Sequence, residues 1–354
     1  MHPRLRSISF HHQFNEPISV DDLPSTLVSI SFGWNFNQPV GVGVMPFNLK
    51  SLVFGCHFNQ PIDVDILPPT LTSIHFGYEF DQPIGVGVLP STLTYLHFGN
   101  DFNQPIGIGV LPSTLISLSF GCDFDQSIGV DVLPSGLMSL DSELGNSFNQ
   151  PVGVGVLPTM LASIQFGHLY NQSIGIGMLP STLITLEFVA SSCFNLPISV
   201  GVLPFTLRYL SFGHCYNQPI GVGILPPTLT HLTFGSCFNQ PINVGILPLA
   251  LTSLHFDFDY NQPIGVGILP PTLTSLHFGW SFNQPIGVDV LPSTLTSLSL
   301  CNDFNQPFSV GVLPNTLQTL SFIHDYKYHI YHAPRPFVPL CEQCRSILKD
   351  CFNK

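Results

Sequence analysis

Residues 80–99 read FDQPIGVGVLPSTLTYLHFG, and this stretch decides the fold. Isoleucine and valine alternate with glycine over residues 84–88, and a period of two predicts an extended segment with one buried face. The Leu-Pro step at 89–90 ends this segment, because proline has no N–H to donate to a neighbouring strand. The L-x-x-L-x-F pattern over residues 93–98 then predicts a second short extended side.

The same stretch recurs along nearly the whole chain. An aromatic residue begins each copy, and the spacing is 22 residues in twelve of the fourteen intervals and 24 in the other two. The extra residues fall between Leu140 and Leu144 and after Phe188. These aromatic residues are Phe14, Phe36, Phe58, Phe80, Phe102, Phe124, Phe148, Tyr170, Phe194, Tyr216, Phe238, Tyr260, Phe282, Phe304 and Tyr326. Such regular recurrence predicts a solenoid in which one copy makes one coil.

Composition excludes several classes of protein. The chain has 354 residues, of which 44% are hydrophobic and only 8% are charged, whereas an average domain is roughly 25% charged. So few charges and so many large apolar residues exclude intrinsic disorder. Apolar runs are too short to cross a bilayer, so we expect no membrane partner. Nine Lys and Arg against 21 Asp and Glu give a net charge of −12, so we expect no nucleic-acid partner.

The repeated unit, with consensus FNQPIGVGVLPSTLTSLHFG, resembles the FNIP repeat, a short module related to leucine-rich repeats. The resemblance covers roughly Leu5 to Pro336. It implies a solenoid used for protein–protein interaction, and some family members carry F-box or other domains as well. It supplies no catalytic residues.

Together these observations predict an all-β, right-handed, leucine-rich-repeat-like solenoid of about fourteen to fifteen coils. We expect residues 1–13 to form a degenerate N-terminal coil or cap and residues 14–336 to form the repeat solenoid. Apolar residues on one helical face predict a short capping helix over residues 337–354.

An asparagine follows the aromatic residue in almost every copy. One residue type between Phe and Pro predicts a structural ladder, in which each amide bonds backbone groups and links neighbouring coils. Asp81 and Asp125 fill the two gaps in this column. The predicted ladder residues are Asn37, Asn59, Asn103, Asn149, Asn171, Asn195, Asn217, Asn239, Asn261, Asn283 and Asn305, and Asn15 precedes them. An exposed polar stripe that binds a ligand is the alternative interpretation.

Outward strand positions vary between copies while inward positions hardly change. Solenoids usually bind partners on the strand face, so the variable residues there predict a binding surface for another protein. Aromatic and histidine side chains on an acidic, serine-rich sheet suit a partner with a basic surface. The predicted surface comprises Trp34, His57, His75, Tyr78, Tyr95, His97, Tyr209, His255, His277 and Trp280.

Titratable groups offer little for catalysis. Between residues 7 and 326 the only basic residues are Lys50 and Arg208, so a cluster that holds and transforms a substrate is not expected. We therefore expect no enzyme, no catalytic residue and no cofactor. The pairs His75/His97 and His255/His277 each lie one coil apart, but no third ligand accompanies them, so we expect no metal.

The nine cysteines form no paired framework, although Cys193, Cys215 and Cys237 share one column in successive coils. With no signal peptide, this pattern predicts reduced thiols in a cytoplasmic protein. In the tail, Cys341 and Cys344 with two histidines leave a zinc site open as an alternative to the capping helix.

Two further functions stay open. One is a structural or surface-active solenoid with no specific partner, which repeated Thr-Leu-Thr steps such as residues 92–94 would suit. The other is a substrate-recognition subunit of a larger assembly.

Overall fold

Each coil contributes one short strand. The computed structural model describes residues 4–301 and 304–323, with the backbone alone for residues 141–144 and 323. No helix occurs within these ranges. The strands are β1 (Ser7–Ser9), β2 (Ser29–Ser31), β3 (Ser51–Val53), β4 (Ser73–His75), β5 (Tyr95–His97), β6 (Ser117–Ser119), β7 (Ser139–Leu144), β8 (Ser163–Phe166), β9 (Thr185–Phe188), β10 (Tyr209–Ser211), β11 (His231–Thr233), β12 (Ser253–His255), β13 (Ser275–His277), β14 (Ser297–Cys301) and β15 (Thr319–Ile323).

The fifteen strands form one sheet in chain order, β1 to β15. The pairs are parallel, and each residue lies beside its equivalent in the next coil: Ser73 pairs with Tyr95, and His75 with His97. A parallel pair needs a long connection between its strands, and here the rest of the coil supplies it. The predicted all-β solenoid of about fourteen coils is therefore confirmed.

The core is one continuous cluster that runs through the coils. Seven apolar side chains of a typical coil are buried: Phe80, Ile84, Val88, Leu89, Leu93, Leu96 and Phe98. Aromatic rings stack in two ways: Phe98 lies 4.0 Å from Phe102, which follows it by four residues, and 5.8 Å from Phe120, its equivalent in the next coil. Each fully buried apolar side chain contributes roughly 1.5–3 kcal/mol. A single coil has no other surface against which to bury these side chains, so the stack is the source of the stability.

The valine-glycine segment differs from the sequence-based expectation. Ile84 and Val88 are buried as expected, but Val86 is 66% exposed. The chain turns here, with Gly87 at φ +83°, a backbone conformation that side chains with a Cβ rarely adopt. The extended segment predicted for residues 84–88 therefore ends in a turn, and the middle valine or isoleucine of this segment lies on the surface in each coil.

The two 24-residue coils accommodate their extra residues differently. In the first, β7 is lengthened to six residues, and its register with β8 shifts between Leu140 and Leu144. In the second, the chain turns after β9, with the Ser192 N–H donating to the Val189 carbonyl at 2.8 Å. Sheet pairing continues on both sides of each insertion.

The described part of the chain ends at residue 323. Tyr326, the alternative zinc ligands Cys341 and Cys344, and the capping helix predicted over 337–354 lie outside the described residues. The domain boundaries proposed from the sequence therefore stay a prediction.

Candidate partner-binding face

The outward side chains of the strands form one surface, which we call the strand face. In β5 the middle residue Leu96 is 3% exposed, whereas Tyr95 beside it is 56% exposed. The same alternation holds in β3 and β4, because side chains of a strand point to opposite faces in turn. Register then aligns the outward residues in two columns. Most of these residues are serine or threonine, and the large side chains are concentrated in two clusters.

The N-terminal cluster lies on β2 to β5 and the turns that follow them. It comprises Trp34, His57, His75, Tyr78, Tyr95 and His97. The Trp34 indole Nε1 donates to His57 Nε2 at 3.0 Å. That bond leaves the imidazole proton on Nδ1, which donates to Glu79 Oε1 at 2.6 Å. Three successive coils are thus joined at the edge of the strand face, while Trp34 remains 58% exposed.

Two histidines of this cluster stack on each other. The rings of His75 and His97 lie 4.1 Å apart with an interplanar angle of 8°. Partial burial lowers the pKa of His75, because desolvation disfavours the imidazolium form. Both rings line an open pocket of about 330 Å³, together with Trp34 and Tyr78. The pocket has an aromatic rim that can accept a flat or cationic group.

A column of acidic side chains adjoins the N-terminal cluster. Glu79, Asp101 and Asp123 each precede the aromatic residue in three successive coils. Desolvation, with repulsion from Asp123, raises the pKa of Asp101, and desolvation with repulsion from Asp81 raises the pKa of Asp123. A raised carboxyl pKa means that the folded chain disfavours the negative charge. A nearby cation would relieve that unfavourable term.

The C-terminal cluster lies on β10 to β13 and their turns, and it comprises Tyr209, His231, His255, Phe258, His277 and Trp280. It is built from stacked pairs. Tyr209 and His231 are 4.4 Å apart, His255 and His277 are 4.0 Å apart, and Phe258 and Trp280 are 6.0 Å apart. The ten residues predicted for the binding surface are thus divided between two clusters. His231 and Phe258 were not among them, although each stands one repeat from a predicted residue, in the same column.

Between the clusters the strand face is polar. The outward residues of β8 and β9 are Ser163, Gln165, Thr185 and Glu187, and the Gln165 amide donates to Glu187 at 3.4 Å. Burial raises the pKa of Glu187. The outward residues of β8 and β9 thus include no aromatic side chain, and they separate the N-terminal cluster from the C-terminal cluster.

The histidine pairs are poorly arranged for a metal. In stacked parallel rings the nitrogen lone pairs lie in two parallel planes, so two lone pairs do not converge on one ion. Across the ranges 4–301 and 304–323 no group of three or more His, Cys, Asp or Glu side chains could hold a metal ion.

The asparagine column forms hydrogen bonds between successive coils. The backbone N–H of Asn59 donates to Asn37 Oδ1 at 3.0 Å, and Gln60 Nε2 donates to the same oxygen at 3.0 Å. The backbone bond recurs from coil to coil, with oxygen acceptors on Asn15, Asn37, Asn59, Asp81, Asn103, Asp125, Asn149, Asn171, Asn195, Asn217, Asn239, Asn261 and Asn283 and with Asn305 as the final donor. That this ladder stabilises the fold stays a prediction.

Aspartate fits this column because the side-chain oxygen is the acceptor. Asp81 Oδ1 accepts from the Asn103 N–H at 2.9 Å and from Gln104 Nε2 at 3.0 Å, the same two bonds that asparagine accepts elsewhere. The glutamine that follows the asparagine or aspartate in most copies is therefore a second member of the ladder. Sequence reasoning missed this role, although glutamine recurs beside asparagine in nearly every copy.

The threonines form another set of bonds between coils. Thr92 Oγ1 donates to the Leu71 carbonyl at 2.6 Å, and Thr94 Oγ1 donates to the Thr72 carbonyl at 3.0 Å. Equivalent bonds recur at Thr114, Thr182, Thr272 and Thr294. These hydroxyl protons are directed into the stack. The threonines of the Thr-Leu-Thr steps thus form hydrogen bonds that join successive coils.

The part of the chain that the structure describes contains no helix long and apolar enough to cross a lipid bilayer. A comparison with curated proteins finds no match.

Solved structures place the chain among leucine-rich-repeat proteins. It is 40% identical to CroV588, described as a novel circular leucine-rich-repeat protein, with a TM-score of 0.83 over 90% of this chain and 50% of that one. The chain thus spans about half the length of CroV588. Lower scores are found for TLR13 in a complex with ssRNA13 (13% identity, TM-score 0.47, 84% of this chain and 47% of that one). YopM, a leucine-rich effector protein from Yersinia pestis, gives 18% identity and a TM-score of 0.40, over 85% of this chain and 84% of that one.

The fold is that of a leucine-rich-repeat-like scaffold, a type common among protein-interaction modules. The model of the FNIP repeat matches in overlapping or adjoining segments from 3–35 to 298–325. Since these matches cover nearly all of the chain, it belongs to the FNIP repeat family.

Proposed function

We propose that this chain is a non-enzymatic repeat scaffold that binds another protein through its strand face. The observation that supports this proposal most directly is the pair of exposed aromatic–histidine clusters on an otherwise small, polar face. Tyr95 is 56% exposed and Tyr209 is 43% exposed, whereas the adjacent strand residues Leu96 and Leu210 are buried in the core. Tyrosine and tryptophan are enriched among the residues that dominate binding energy at protein interfaces.

The partner proposed for this face is basic. Arg4, Arg6, Lys50 and Arg208 are the only Lys and Arg among the described residues, so acidic groups dominate the surface. The acidic column with Asp101 and Asp123 lies next to the N-terminal cluster, and its raised carboxyl pKa values show unfavourable charge. An arginine or lysine from a partner would neutralise this charge and could stack on the neighbouring rings.

The threonine contacts disfavour the structural, surface-active alternative. A regular array of hydroxyls facing solvent would need donors that are free to bind water. Thr92 and Thr94 instead donate to backbone carbonyls of the preceding coil. The exposed aromatic–histidine clusters of the strand face instead favour binding of a protein. The chain could do this alone or as the substrate-recognition subunit of a larger assembly.

A cytoplasmic location, without metal or cofactor, is part of the proposal. Among the described residues, Cys56 and Cys193 carry thiols that are not joined in a disulfide. Free thiols are typical of proteins kept in a reducing compartment.

A pull-down with two matched triple variants tests the proposal. The face variant carries Tyr95→Ala, Tyr209→Ala and Trp280→Ala. The control carries Val86→Ser, Val222→Ser and Val266→Ser in the exposed turn column, where these valines are 66%, 68% and 62% exposed. We expect proteins captured by the unchanged chain to be retained by the control and lost, by tenfold or more, by the face variant.

Salt provides a second measurement in the same experiment. A basic partner should be captured less well as salt rises from about 50 to 300 mM, because ions screen charges across the interface. Capture that both triple variants retain equally would exclude the strand face as the binding surface.

A further inference from the structure

The coils around the second insertion contain a cysteine–histidine pair. Cys193 Sγ lies 3.8 Å from His168 Nε2, and the Cys193 N–H donates to the His168 carbonyl at 2.7 Å. The inserted turn is fixed by Ser192, which is fully buried and whose hydroxyl accepts from the Phe194 N–H at 3.2 Å. The thiol is therefore held beside the imidazole by the backbone of two successive coils.

His168 is buried without a complete set of partners. It is 5% exposed, and its Nδ1 atom makes no hydrogen bond. A buried polar side chain usually has its hydrogen bonds satisfied, and exceptions often mark a functional site. Its other nitrogen, Nε2, points at Cys193. Cys193 itself is partly exposed.

The electrostatics favour charge on both members of the pair. Hydrogen bonds from Cys215 and His168 lower the pKa of Cys193, and the charges of His168 and His214 lower it further. The bond to Cys193 raises the pKa of His168, despite its burial. The titratable groups that face the Cys193 sulfur are thus two histidines and one thiol, with no carboxylate among the groups that shift it.

We propose that Cys193 and His168 form a thiolate–imidazolium pair that is a site of oxidation by small peroxides. The thiolate sulfur attacks one oxygen of hydrogen peroxide, the O–O bond breaks, and an S–O bond forms to give the sulfenic acid. The departing hydroxide takes the His168 proton and leaves as water. Sulfur loses two electrons and the peroxide gains them, so the step is balanced.

Cys56 is a control within the same chain. It is also partly exposed and free, but desolvation raises its pKa. A thiol with a pKa above the ambient pH loses its thiolate tenfold for each unit of acidification. A thiol that is already ionised at pH 5.5 keeps its thiolate as the pH falls from 7.5 to 5.5. Because nucleophilicity falls as thiol pKa falls, the pH profile discriminates better than the absolute rate.

Labelling of the folded full chain with iodoacetamide, followed by peptide mass spectrometry, measures these profiles. Between pH 7.5 and pH 5.5 we expect the Cys193 rate to change by less than about threefold, and the Cys56 rate to fall by about a hundredfold. His168→Gln should give Cys193 at least a tenfold pH dependence. Cys215→Ala should shift the profile in the same direction, and Cys215→Ser, which keeps a hydroxyl donor, should shift it less.

Peroxide oxidation is then measured with a sulfenic-acid trap. Treating the full chain with one equivalent of hydrogen peroxide in the presence of dimedone should label Cys193 at least tenfold more than Cys56. The pH dependence of Cys193 and Cys56 labelling is measured on the unchanged chain. The proposal can therefore be tested even if a variant fails to fold. A Cys193 rate that falls in parallel with that of Cys56, or equal dimedone labelling at the two cysteines, would overturn it.

Discussion

The inward and outward residues of the same short strands obey different rules. The middle position of every strand is leucine or isoleucine, as in Ile74, Leu96 and Leu118, which are buried. The flanking outward positions hold serine, threonine, tyrosine, histidine, valine, glutamine or glutamate with no fixed order. Identical inward residues let each coil stack on the next, so changes there act on stability. Outward residues are free of that requirement, so changes there should act on binding.

Loss of an inward aromatic ring should have the largest effect. Phe102 is fully buried, with its ring 4.0 Å from that of Phe98. Phe102→Ala removes these contacts and leaves a cavity, so we expect it to lower the free energy of unfolding by about 3–5 kcal/mol. Urea denaturation followed by circular dichroism measures this. Tyr95→Ala on the strand face is the control, with an expected change within about 0.5 kcal/mol. Equal losses in the two variants would refute the division between inner and outer positions.

The asparagine ladder should show the next largest effect. Asn239 Oδ1 accepts bonds from the Asn261 N–H and from Gln262, both at 3.0 Å. We expect Asn239→Ala to cost about 1–3 kcal/mol, because it leaves these donors without an acceptor. Asn239→Asp keeps the oxygen, as Asp81 and Asp125 do, and should cost less than half as much. Thermal melting compares the two variants, and a neutral alanine variant would remove the ladder from the explanation of stability.

One buried hydroxyl offers a stabilising substitution. Tyr170 is fully buried in the aromatic column, and its hydroxyl has no hydrogen-bond partner in the described part of the chain. Tyr170→Phe removes the unsatisfied group and keeps the ring, so we expect the free energy of unfolding to rise by about 1 kcal/mol. Phe148→Tyr, in the adjacent coil, is the reverse change and should destabilise. Denaturant midpoints of both variants test this pair, and a loss of stability in Tyr170→Phe would contradict it.

The acidic column should show the smallest change in stability but a large change in binding. Because the folded pKa values of Asp101 and Asp123 are raised, the stability they contribute is present at low pH and lost as pH rises through those values. Asp101→Asn with Asp123→Asn should therefore raise the melting temperature at pH 7 and leave it nearly unchanged at pH 4.

The same double variant should bind a basic partner more weakly. Asp63→Asn with Asp65→Asn, at exposed positions away from the strands, is the matched control and should change neither property much. A double variant at 101 and 123 that melts lower at pH 7 would show that these carboxylates stabilise the fold.

Much of the fold followed from the sequence because the repeat samples each position many times. Constant Phe, Leu and Asn columns predicted the stack, and free variation at Tyr95 and His97 predicted the outward face. The turn at Val86 was missed, since alternation with glycine looks the same in a strand and in a turn where Gly87 takes a positive φ. The positive φ of Gly87 depends on how the whole 22-residue coil closes on itself. A local sequence pattern does not contain this information.

The details of the candidate surfaces needed coordinates. The pairs Phe258/Trp280 and Tyr209/His231 depend on side-chain rotamers in neighbouring coils. The glutamines beside the ladder donate to the Oδ1 atom of the asparagine in the preceding coil, and only the coordinates show that this oxygen is the acceptor. Likewise, the shared column of Cys193 and Cys215 was visible in the sequence, but the 3.8 Å approach of His168 Nε2 to the Cys193 sulfur depends on side-chain rotamers.

The bonding pattern between coils has an evolutionary consequence. Each coil receives from its predecessor the same bonds that it gives to its successor, at a separation of 22 residues. Unequal recombination that duplicates or deletes one 22-residue unit can therefore preserve these bonds at the new junction. Copy number can then change the length of the strand face, while point substitutions at the outward positions change its surface chemistry.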